Sequence, residues 1–237
     1  MIRLRWPLLI VSAFFTALFI TWHVLSSVNF LYPLWHEVLD IDDTVRVYAP
    51  QNRYRHGFER TTSAEHARLF AAILHSVENS GRGLENLYYR DAAGKPIDLL
   101  LTAPEITHLR DVARLVHTFQ LFGWTCSLIF VAVGTSLRLK PAPRPPAKKS
   151  LVYFAAITLF LIAVILAIGA KTVFYKLHTW IFPPGHQWFF YYQDSLMTTL
   201  MKAPVLFAGI AAEWLMLTIA VYVALVAVCV RFMPSRG

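Results

Sequence analysis

Two segments of this 237-residue chain gather side chains that can move protons. ITHLRDV (106–112) sets His108 three residues from Asp111 and three from Glu105. KLHTWIFPPGHQWFFYYQDS (176–195) holds His178 and His186 together with Lys176, Trp188, Tyr191, Tyr192 and Asp194. Histidine titrates near neutral pH, so an imidazole beside a carboxylate suits general acid–base work. On a helix, Glu105, His108 and Asp111 fall on one face, at i, i+3 and i+6. Either carboxylate is placed to orient His108, and Lys176, Tyr191 and Tyr192 are placed to add donors. His117, nine residues beyond His108, falls on the opposite face. Each residue taken singly also has a plainer role. Trp180, Trp188, Tyr191 and Tyr192 fit an aromatic belt at a membrane surface, and Pro183-Pro184-Gly185 fits a turn lying along it.

The elements that must position these groups are apolar. The chain is 57% hydrophobic and 15% charged, a low charge fraction for a soluble protein. Four long apolar runs stand out, and 150–170 has no charged residue at all. At about 1.5 Å per residue, a run of that length matches the ~30 Å core of a bilayer. The expected architecture is an all-α membrane protein with four transmembrane helices and a small α+β extracytoplasmic domain between helices 1 and 2. The spans fall at 6–32, 106–137, 150–171 and 204–230. The extracytoplasmic domain is 33–105, a basic Pro-rich cytoplasmic loop is 138–149, and an interfacial outer loop is 172–203. The first run is too long for the apolar part of a secretion signal and reads as a retained anchor.

A net charge of +8 raises the question of nucleic acid. Its placement answers against it. Arg3 and Arg5 precede the first span, five Lys/Arg lie in 138–149, and Arg231 and Arg236 follow the last span. With four spans these all face one side, the positive-inside pattern. The expected setting is a bacterial cytoplasmic (inner) membrane, with both termini cytoplasmic and the histidines at the outer face.

Within 33–105, residues 61–81 read as a helix with a Thr62/Glu65 capping box, an apolar stripe through Leu69, Phe70, Ile73, Leu74 and Val77, and a stop at Gly81. ENLYYR-DAAGK-PIDLLLT reads as a β-hairpin. Thr102 and Glu105 repeat the capping-box spacing, with Pro104 in the first turn, so a helix should start near 103 and continue into the second span.

Other chemistries find little support. Ser195 follows Asp194 but has no nucleophile-elbow motif. Asp40, Asp42 and Asp43 in DIDD lack the rest of a calcium loop and read as solvated surface. No HExxH or CxxC is present, and Cys126 and Cys229 lie singly inside spans, so neither a metal nor any other cofactor is expected. Glu213 lies inside the last span, where a carboxylate is costly and usually paired; Arg114 lies at a comparable depth and is the expected partner.

The residues resemble a known family. ITHLRDV opening a membrane helix is similar to the acidic/His-Leu-x-Asp-Val segment of the lipoprotein intramolecular transacylases. His178 followed by FPPG, Trp188 and an aromatic run is similar to that family's second histidine segment. The four-span layout with a first outer domain is similar too, so the resemblance covers nearly the whole chain. HEVLDIDDTVRVYAPQNRYRHGFERT (36–61) and the stretch around Gly185-His186-Gln187 depart from it. The resemblance implies an acyltransferase that moves the sn-2 acyl chain of a diacylglyceryl-modified N-terminal cysteine onto that cysteine's α-amine, giving a lyso-form lipoprotein. It implies His108 and His178 as the catalytic pair, one as base and one as oxyanion donor. Glu105, Asp111, Arg114, Lys176, Trp188, Tyr191, Tyr192 and Glu213 would orient them or line the site. Implied partners are a lipidated lipoprotein substrate and membrane lipid. No covalent enzyme intermediate is required. On this reading His186 tolerates replacement.

Two rivals use the same residues. One is a non-enzymatic assembly factor or receptor, in which the histidines are belt residues. The other is an acyltransferase acting on a different lipid acceptor.

Overall fold

A computed structural model describes residues 4–143, 156, 159, 160, 163, 164 and 167–232. Most of the expected span 150–171, and half of the basic loop 138–149, lie outside the described residues. Among the described residues, three helices are long and apolar enough to cross a membrane: α1 (Arg5–Ser27), α5 (Ala103–Leu139) and α8 (Val205–Phe232). Between them lie α2 (Tyr32–Val38), α3 (Ile41–Tyr48), α4 (Ser63–Glu78), β1 (Tyr88–Arg90), β2 (Pro96–Leu99), α6 (Ala170–Ile181) and α7 (Leu196–Met201). The chain is mostly helical, with one small two-stranded sheet.

Many apolar side chains of α5 and α8 point outward, among them Leu115, Leu121, Phe122, Trp124, Leu128, Phe207, Met216 and Val223. Helices that are apolar all round find their solvent in lipid or in a core. Exposed carbon on this scale suits lipid.

The chain divides into two units, 1–17/124–185/222–237 and 18–123/186–221. In the first unit, Arg5 donates to the carbonyl of Ser136 at 3.2 Å and of Lys140 at 2.8 Å, and Trp6 Nε1 donates to the carbonyl of Ala142 at 3.3 Å. These bonds tie the start of α1 to the last turn of α5 and the residues just after it.

The second unit has a continuous core. Tyr32, Ile41, Phe58, Leu69, Tyr89, Leu100, Leu196 and Leu200 are buried within it. α4 starts as the capping spacing predicts, with Thr62 accepting from the Glu65 N–H at 3.3 Å. The other half of the box is absent. Glu65 instead accepts from Arg68 Nε and Nη2, both at 2.6 Å, and, at 2.9 Å, from the Arg90 N–H. It thereby ties α4 to β1. Gly81, with φ 78°, closes the helix by donating to the Ser76 carbonyl at 2.7 Å. The hairpin forms with Tyr88 opposite Leu99 and Tyr89 opposite Asp98. Its turn is held by Asp91, which accepts from the Ala93 and Lys95 N–H groups at 3.0 and 2.9 Å.

α5 begins at Ala103 and runs unbroken for 37 residues, as its spacing requires.

Candidate active site

The N-terminal turns of α5 and the segment 186–204 belong to the second unit, and the site grows from their contacts. Glu105 is fully buried. One carboxylate oxygen accepts from the Thr102 N–H and hydroxyl, both at 2.6 Å, which caps α5. The other accepts from Ser195 Oγ at 2.5 Å. Ser195 Oγ in turn accepts from the Thr198 N–H at 2.8 Å and so caps α7. Ser195 is therefore a cap and has no nucleophile's exposure. Glu105 is committed on both oxygens and joins two helix starts.

Two turns along, Asp111 shares the buried face. Its side chain is 3% exposed, and Oδ2 accepts from His186 Nδ1 at 2.6 Å. Arg114 bonds the other oxygen. A bond from Nδ1–H to a carboxylate fixes the imidazole tautomer and leaves the Nε2 lone pair to accept a proton. The His186 side chain is 37% exposed, so an outside group can reach it. His108 is half-buried on the same helix, its ring 6.0 Å from Phe190. The spacing thus places Glu105, His108 and Asp111 together correctly, but Asp111 orients His186 here.

The remaining expected residues scatter in role. His178, on α6 in the first unit, bonds the Phe174 carbonyl at 2.8 Å through Nδ1 and packs against Phe174 and Phe182. Lys176 is exposed on α6. Trp188 meets Phe189 edge-on, and so does Tyr191, which is 63% exposed. Tyr192 points inward: it stacks on Tyr48 at 4.6 Å and donates to the Ala203 carbonyl at 3.1 Å. Phe190 is buried, and Arg53 clasps the segment through the Gln193 carbonyl at 2.9 Å and Asp194 at 3.1 Å. Residues 186–195 are therefore part of a packed domain, which a surface belt alone would not require.

The expected Arg114–Glu213 pair does not form. Arg114 reaches Asp111, three residues before it on its own helix. Glu213 Oε2 accepts from Trp35 Nε1 at 2.9 Å. The indole lies on Gly209, one turn before Glu213, where a Cβ would stand 2.7 Å from the ring. Depth along two helices says nothing about which faces meet, and Trp35 arrives from α2, outside both.

Comparison with known proteins identifies the family. A family model described as "Lipoprotein intramolecular transacylase Lit" matches residues 7–203. The chain belongs to this family. Two solved structures of the Lit transacylase from Bacillus cereus share its fold at 17% identity. One covers 96% of this chain and 94% of its own with a TM-score of 0.65. The other, carrying a single histidine-to-arginine mutation, covers 97% and 90% with a TM-score of 0.66. No curated protein sequence matches. As a Lit family member with three membrane-length apolar helices, the protein is an integral membrane acyltransferase.

His186, expected to tolerate replacement, is the imidazole that meets Asp111. It lies 75 residues from Asp111, and no periodicity links positions that far apart. The available signal was its place directly after Pro183-Pro184-Gly185, where the chain turns and a side chain can be re-aimed.

Proposed function

We propose that the protein converts diacylglyceryl lipoproteins to the lyso form by transferring the sn-2 acyl chain to the N-terminal cysteine amine, with His186 as base. The observation that carries the assignment is the His186–Asp111 hydrogen bond. The attacking group is the substrate's α-amine, with an ordinary pKa of ~8. Deprotonating it at pH 7 costs only ~1.4 kcal/mol, within reach of an imidazole base. The amine nitrogen attacks the sn-2 ester carbonyl, His186 Nε2 takes the amine proton, and Asp111 compensates the charge the ring gains. Collapse breaks the ester C–O bond, and the imidazolium returns the proton to the departing sn-2 oxygen.

His108, half-buried on the same face, and Arg114, beside Asp111, are the proposed donors to the oxyanion. One such donor is worth roughly 3–4 kcal/mol. Amine and ester belong to one molecule, so the enzyme's task is to fold the substrate into attack geometry. No acyl-enzyme is needed, which agrees with Ser195 being a cap.

His178 is the competing base. Its Nδ1 also has an acceptor, but a neutral carbonyl compensates an imidazolium less than a carboxylate does. The proposed setting is the cytoplasmic membrane, with the site on the outer face among lipid headgroups.

Mass spectrometry of lipoprotein N-terminal peptides, from cells with and without the protein, tests the activity. The expected product is an N-acyl-S-monoacylglyceryl cysteine found only with the protein. Identical peptides from both cells would refute it.

A further inference from the structure

Away from the transacylase residues, three metal-ligand atoms converge in the second unit. His36 comes from α2, Asp42 from the first turn of α3, and His66 from the first turn of α4. His36 Nε2 and His66 Nδ1 stand 2.9 Å apart, and each is 3.5 Å from Asp42 Oδ1. A tetrahedral ion with ligands at ~2.0–2.1 Å holds their atoms about 3.3–3.4 Å apart. The observed triangle brackets that separation. All three atoms can therefore reach one ion without rebuilding the helices.

We propose that His36, Asp42 and His66 form a binding site for a divalent transition-metal ion of the zinc class. Two imidazole nitrogens argue against calcium and magnesium, which prefer oxygen ligands.

The surroundings are built in the same sense. Thr61 Oγ1 donates to the Phe58 carbonyl at 2.6 Å, so its contact with His66 Nε2 at 2.7 Å accepts the ring proton. This fixes His66 as the Nε2–H tautomer, with the Nδ1 lone pair facing His36 and Asp42. An outer hydrogen bond of this kind commonly orients a metal-bound histidine. Without an ion, His36 Nε2–H donates to that lone pair. With one, the His36 proton moves to Nδ1, and both lone pairs face the metal.

Burial pushes the His66 imidazole down to about 4 and lowers that of His36 as well, while Asp42 opposes the shift at both. Neutral rings need lose no proton to bind. The histidines are 5% and 1% exposed, whereas the Asp42 side chain is 60% exposed. The fourth position thus opens toward solvent on the Asp42 side.

The ion would pin α2, α3 and α4 together. α3 packs on α7, whose cap Ser195 is held by Glu105. The proposed role is to hold together the domain that carries the catalytic segment.

The test uses the untagged full chain in detergent, stripped with a chelator near neutral pH and titrated with zinc alone. One zinc should bind per chain and raise the unfolding temperature by several degrees. Cobalt in its place should give the visible bands of a tetrahedral site. Asp42→Ala, at an exposed position, should keep the metal-free unfolding temperature. It should weaken zinc by more than the ~10–100-fold that loss of an outer hydrogen-bond partner costs. His36→Gln should do the same. Absence of stoichiometric binding by the unmodified chain would overturn the site. So would zinc affinity unchanged in Asp42→Ala, since the ion would then lie on other histidines. Neither readout depends on transacylase activity.

Discussion

At the scale of residues, the proposed mechanism turns on which imidazole is held by a carboxylate. His186 is, through Asp111 at 2.6 Å. His186→Gln should lower turnover by about 10²–10⁴-fold with expression intact, the range for removing a general base. Asp111→Asn keeps the shape but cannot compensate an imidazolium, and it should cost a similar factor. His108→Gln should cost ~10²–10³-fold as a lost oxyanion donor. The His108/His186 double variant should be hardly worse than the more severe single, because groups serving one transition state are not additive. His178→Gln should be the mildest of the three. Turnover of a synthetic diacylglyceryl peptide in detergent, followed by mass spectrometry, ranks them. A severe loss at His178 with a mild one at His186 would move the base from His186 to His178 on α6.

At the scale of elements, Glu105 is a junction between helix starts. Removing it strips an acceptor from Thr102 and from Ser195 in a site closed to water. Each buried polar group left unmatched costs about 1–3 kcal/mol. Glu105→Ala should therefore destabilise the domain by about 2–5 kcal/mol, and Ser195→Ala by less, as read by unfolding in detergent. Glu213 gives a second test of partners. Losses from Trp35→Phe and Glu213→Gln should be sub-additive, since they share a hydrogen bond. Losses from Arg114→Ala and Glu213→Gln should simply add.

These elements also mark how much of the structure could be read from the chain. Local spacing predicted the α4 cap, the hairpin and the start of α5, because helix and turn signals act over three or four residues. It also placed His108 and Asp111 on one face. It did not reveal Asp111–His186, Trp35–Glu213 or the meeting of His36, Asp42 and His66. Those contacts join separate helices and depend on which faces pack together. The α4 capping box is only half made for the same reason: Glu65 is drawn off by Arg90, distant in sequence, whereas Glu105 reaches back to the Thr102 N–H and takes Ser195 on its other oxygen.

At the scale of the whole molecule, the remaining question is which way the chain lies in the membrane. The Lys/Arg at the N-terminus, in 138–149 and after the last span are expected to face the cytoplasm, with 33–105 and 172–203 outside. Arg5 supports a common side for the first two of these regions, since it binds the carbonyls of Ser136 and Lys140 at the end of α5. Single introduced thiols can report the orientation, because Cys126 and Cys229 are both buried. Ala142 would be a poor reporter, at 1% exposure. Lys140 and Ala92 both present exposed side chains. In intact spheroplasts, an impermeant maleimide should label Ala92→Cys and leave Lys140→Cys unmodified until the membrane is opened. The reverse pattern would put His108 and His186, which belong to the same unit as Ala92, on the cytoplasmic face. The proposed setting has the site on the outer face, so that result would refute it.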